Sequence, residues 1–82
     1  MLYAIANYYK MDTMIGIFKT NIATPEERQL MIRAIHAHFD VSSAYVDIED
    51  CDRVLRVADM KVDEYTMMDF VRQQGFLCEV LE

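Results

Sequence analysis

Residues 14 to 22, MIGIFKTNI, alternate in character: Ile15, Ile17 and Lys19 fall on one side, Met14, Gly16, Phe18 and Thr20 on the other, and Ile22 closes the run. Apolar residues on both sides predict a strand in the middle of a sheet. Between residues 26 and 39 the spacing changes. Leu30, Met31, Ala34, Ile35 and then His38 or Phe39 recur every three or four positions, the pattern of an amphipathic helix. Alternation returns in SAYVDIE, with Ala44, Val46 and Ile48 inward and Tyr45, Asp47 and Glu49 outward. RVLRVAD follows a short polar turn at Asp50, Cys51 and Asp52, so the two runs predict a hairpin. Asp63 is placed to cap a second helix over residues 64 to 74, whose stripe is Met67, Met68 and Val71 with Tyr65 or Phe70 beside it. Gly75 stops that helix, and FLCEVL returns as a last strand.

The order is β-α-β-β-α-β. With right-handed crossovers it predicts an α+β fold, the ferredoxin-like plait: a four-stranded antiparallel sheet in strand order 4-1-3-2 with two helices on one face. The plait occupies residues 13 to 82. Residues 1 to 12 form an N-terminal extension in which Leu2, Tyr3, Ile5, Tyr8 and Tyr9 suit a short helix or a contact with a neighbouring chain; Met11 and Met14 are both alternative starts.

Length changes the picture in one respect. A chain of 82 residues has one thin core, at a size where packing leaves a net stability on the order of 5 kcal/mol. No stretch approaches the ~18 apolar residues of a membrane span, and the start lacks the basic and small-residue marks of a signal peptide. A cytoplasmic location is the expectation, with reduced thiols at Cys51 and Cys78 and no disulfide. The net charge of −6 is concentrated late, with six acids against two arginines in residues 40 to 59. Such a surface repels phosphate backbones, which argues against a nucleic-acid partner.

Candidate chemistry is sparse. Thr24-Pro25-Glu26-Glu27 reads as a capping box with proline at the first helical position, Thr24 and Glu27 exchanging hydrogen bonds with each other's amides. Cys78, between Leu77 and Glu79 and close to Val80, reads as a small buried hydrophobe. Cys51 lies in an exposed turn beside two aspartates, a poor setting for a reactive thiolate. His36 and His38 are two apart on a helix and diverge, unlike ligands at i and i+4. Met31, Met67 and Met68 fit core stripes, and the acids Asp47, Glu49, Asp50 and Asp52 read as a solvated face without the glycine of a calcium loop. No nucleophile, histidine and acid fall at motif spacing, and only Gly16 and Gly75 are present to shape a phosphate loop. Neither a catalytic constellation nor a deep pocket is expected, so an enzyme is not, and no cofactor is implied.

The apolar strand ending in Asn21 and Ile22, the helix pattern Leu30, Met31, Ala34, Ile35, the stretch HFDVSSAYVDIEDCDRVLRV and the helix end QQGF together resemble the heavy-metal-associated domains of copper chaperones and metal-transporting ATPases. The likeness runs from about residue 14 to residue 81. FKTNI, DIEDCDRVLR and GFLCEVLE further resemble small uncharacterised proteins of Bacteroidetes-type bacteria that carry a degenerate form of this domain. The family's Met-x-Cys-x-x-Cys motif falls on Ile22, Thr24 and Glu27, which supply no thiolate. Soft ions prefer sulfur, so the resemblance implies a fold that has lost its metal site. The expected role is then protein contact or homodimerisation, through the open sheet face (Tyr45, Val54, Arg56, Glu79) or the N-terminal extension. The alternatives are a metallochaperone-like binder of Cu(I) or Zn(II) using Cys51, Cys78 or methionines from two chains, and, by analogy of fold alone, a small-molecule sensor.

Overall fold

The computed structural model describes residues 14 to 81, so the proposed extension over residues 1 to 12 lies outside the described residues. The elements are β1 (Met14–Thr20), α1 (Pro25–His38), β2 (Ser43–Asp47), β3 (Val54–Met60), α2 (Glu64–Gln73) and β4 (Cys78–Val80). They form one antiparallel sheet in the order β2-β3-β1-β4, the ferredoxin-like α+β arrangement that the hydrophobic pattern predicts.

Register explains which side of the sheet is dry. Phe18 lies opposite Leu55, and Leu55 opposite Val46, so three side chains from neighbouring strands form a row, and all three are 0% exposed. Gly16, Val57 and Ala44 form the next row. Onto these rows α1 lays Met31 and Ile35, and α2 lays Met67, Met68, Phe70 and Val71, making a single core on one face. The alternate row, Ile17, Arg56 and Tyr45, points away from the helices, as period-two alternation requires.

Both helices begin with side-chain caps. Asp63 Oδ1 accepts the Thr66 amide at 2.8 Å, and hydrogen bonding from the Thr66 side chain, with the amide second, holds the Asp63 carboxyl below the usual range. At its other end α2 stops on Gly75, whose φ of +98° is a conformation glycine adopts without a Cβ penalty. Gly16 serves a different need. A Cβ there would sit 2.6 Å from the Phe18 ring, which folds back over it. Between Met14 and Gly16 the pairing with β3 slips: Met14 faces Met60, but Gly16 faces Val57. The extra residue makes a bulge in β3, and Asp59 takes a φ of +57° there.

Several expectations are corrected. Leu30 is 63% exposed and Tyr65 73% exposed, so neither belongs to a buried stripe. Phe70 fills the place beside the α2 methionines, and Phe39, not His38, packs on the core. Ile15 is 66% exposed, leaving the open face of β1 only partly covered. β2 stops at Asp47 because the chain already turns there: Asp47 Oδ1 accepts the Glu49 amide at 3.1 Å and the Asp47 carbonyl accepts the Asp50 amide. Ile48 is half-buried in that turn.

Candidate functional site

Three segments meet at the end of the sheet where β1 hands over to α1: residues 20 to 27, the β2–β3 turn, and the approach to β4. Thr20 is the joint. Its amide donates to the Asp52 carbonyl at 3.1 Å, its hydroxyl donates to the Arg53 carbonyl at 2.6 Å, and the same oxygen accepts the Ile22 amide at 3.2 Å. Thr20 is buried, and these bonds satisfy its hydroxyl. Asn21 fastens the other side, its Oδ1 accepting the Leu77 amide at 2.9 Å.

The loop then enters the helix through a complete capping box. Thr24 Oγ1 accepts the Glu27 amide at 3.1 Å, and Glu27 Oε1 accepts both the Thr24 amide at 3.2 Å and the Ala23 amide at 2.9 Å. Pro25 occupies the first turn, where its missing N–H is no loss. Glu26 and Glu27 also lie where the helix dipole favours negative charge. Ile22 is fully buried in the core. Ile22, Thr24 and Glu27, the positions that the resemblance sets against a metal motif, are here a core side chain and the two halves of a cap.

The cysteines sit in opposite surroundings. Cys78 pairs with Thr20 across β1 and β4 and is 1% exposed; burial pushes its thiol up to about 11, with Arg72 opposing and Glu79 reinforcing the shift. A thiol so reluctant to ionise is a poor soft-metal ligand. Cys51 is exposed in the β2–β3 turn, where its sulfur and carboxylate oxygens of Asp50 and Asp52 lie within 4.8 Å of one another. The same carboxylates have structural duties: Asp50 Oδ1 accepts the Asp52 amide at 2.8 Å, and Asp52 lies 3.8 Å from Lys19 Nζ. β1 separates β4 from β3, so the two cysteines belong to different strands' ends and not to one chelate. His36 and His38 are both exposed; His38 Nδ1 lies 3.2 Å from the Ala34 carbonyl, and its ring meets the edge of the core at Phe70, tilted by 48° with centroids 4.8 Å apart.

A deep pocket was not expected, and what the helical layer carries is an open groove. A groove of about 510 Å³ runs along α1 beside the end of α2, lined by Leu30, Met31, Arg33, Ala34, Ala37, Gln74 and Phe76. No sequence motif marked it. Its signal was two alanines at helix positions where bulky residues would fill the space between layers.

Fold and site together define a small α+β plait whose first loop is built as a helix start. No family model, curated protein or solved structure matches the chain.

Proposed function

We propose that the chain is a non-enzymatic interaction domain, derived from the heavy-metal-associated fold, that pairs through the open face of its sheet with a protein surface, a second copy being the first choice. The observation that supports this is the make-up of that face. Ile15, 66% exposed, lies beside half-buried Ile17 on β1; across Arg56 stands Tyr45, 54% exposed with the Arg28 guanidinium over its ring, and the cross-strand neighbours Lys19 and Glu79 lie alongside. Apolar groups ringed by charges of both signs suit a moderate interface. Val54, also expected on this face, is 5% exposed and already covered by its own chain, so it adds nothing to the surface offered. Sedimentation across a concentration series is the test. Self-association that Ile15→Glu abolishes is the expected result, while a concentration-independent monomer mass would remove the homodimer.

The Asp50, Cys51 and Asp52 cluster favours a second reading, a metal-dependent contact between two chains that completes the coordination of one ion. Titration of reduced, metal-free protein with Cu(I) and Zn(II) against a competing chelator, with mass followed at each step, decides it. Uptake that Cys51→Ser leaves unchanged would take this turn out of consideration.

A further inference from the structure

The groove beside α1 lies on the helical layer, away from the sheet face, and owes nothing to the reading above. Its shape follows from where the helices touch. The His38 and Phe39 rings meet Phe70 with centroids 4.8 and 5.1 Å apart, fixing the end of α1 against α2. Further back along α1 the facing positions are Ala34 and Ala37, too small to close the gap. Met31 is buried against the core beneath, Leu30 stands exposed at one wall, and Phe76 and Gln74 stand at the other. A volume of about 510 Å³ is within the range of small-molecule sites, and the groove stands open to solvent on one side.

Charge selects the occupant. From Arg28 to Phe39 the chain has two arginines and two histidines and no carboxylate, in a protein whose net charge is −6. Arg28 is engaged, its Nη1 donating to Tyr45 Oη at 3.2 Å. Arg33 makes no ion pair among the described residues, and its helical neighbours at three and four positions are Gln29, Leu30, His36 and Ala37. The groove thus offers one unspent guanidinium and one amide on an apolar lining. A single planar fork matches a single carboxylate, and the lining calls for an apolar tail.

We propose that this groove binds a small apolar carboxylate, with its tail over Met31, Ala34 and Phe76 and its headgroup on Arg33 beside Gln74. The test uses the full chain and decanoate below its micelle concentration, with decanol and decyltrimethylammonium as matched probes, followed by amide NMR. Saturable one-to-one shifts confined to residues 30 to 37 and 74 to 76 are expected, with decanol binding about tenfold more weakly. Arg33→Gln should bring decanoate to the level of decanol. Ala34→Phe or, independently, Ala37→Phe should fill the groove and remove both ligands while thermal unfolding stays cooperative. Equal binding of all three probes, shifts centred on Ile15 and Tyr45, or decanoate binding that survives both filling variants would overturn the assignment. So would self-association abolished by Ala34→Phe, which would give the groove to a second copy.

Discussion

The two faces of the sheet are made from the same four strands, yet they solve opposite problems. On the helix side the row Phe18, Leu55, Val46 is wholly buried, and the glycine beside it exists so that an aromatic ring can fold back. On the other side the neighbouring row Ile17, Arg56, Tyr45 mixes aliphatic, cationic and aromatic groups, with Ile15 left 66% exposed. The contrast teaches that packing of the core is carried by one side of the backbone, so substitutions there and on the side proposed for association can be separated.

The largest expected effect is on the covered face. Phe18→Ala should cost about 3–5 kcal/mol in denaturant unfolding, because it removes a 0% exposed ring at the centre of the core. Gly16→Val comes next, at about 1–3 kcal/mol, since its side chain must displace the Phe18 ring and the Met60 methyl.

Cys78 gives the same face a pH signature. Its folded-state thiol is raised from the ordinary 9.0 to about 11, so above pH 9 the unfolded chain has lost a proton that the folded chain still holds. Stability should therefore fall as pH rises from about 9 to about 11, by up to about 3 kcal/mol. In Cys78→Ala that part of the decline should vanish from the pH series.

Thr24→Ala, which opens the capping box at the sheet's end, should cost about 1 kcal/mol. A double-mutant cycle with Glu27→Ala should return a coupling energy, since the two side chains serve one motif. The smallest stability effect belongs to the open face: Ile15→Ser should stay within about 0.5 kcal/mol when measured on dilute protein. A cost approaching that of Phe18→Ala would mean that Ile15 is covered in solution, and the contrast between the faces would have to be redrawn.

The sheet and both helices were legible because every element carries an uninterrupted period. Ala44 and Val46 alternate cleanly with Tyr45 and Asp47, and Met67, Phe70 and Val71 keep helical spacing. The cap at Thr24 and Glu27 was legible for the same reason, being local in sequence. Leu30 was misread because spacing fixes a helix face only to within about one residue's rotation; Met31, expected beside it, is the buried one, and of the alternatives Tyr65 and Phe70 packing chose Phe70. The early end of β2 depends on the Asp47 carboxylate competing for backbone amides, which a hydrophobicity pattern does not register. The groove escaped notice because it comes from what Ala34 and Ala37 fail to fill. Thr20 was hidden for a further reason: its partners Asp52 and Arg53 lie over thirty positions away and only the folded sheet brings them near.

The strand order also sets a timetable. β1 is the first strand of the described residues but lies inside the sheet, and its neighbours are β3 and β4, whose register partners for Phe18 are Leu55 and Val80. A ribosome making the protein releases β1 long before either neighbour exists. For that interval an apolar strand with two bare edges must wait, while α1 and the β2–β3 hairpin can form from local contacts. Folding should therefore be limited by capture of β1 between late-arriving strands, with β4 the closing step. Conditions that slow synthesis or crowd nascent chains should turn the same MIGIFKT segment into the point where copies tangle.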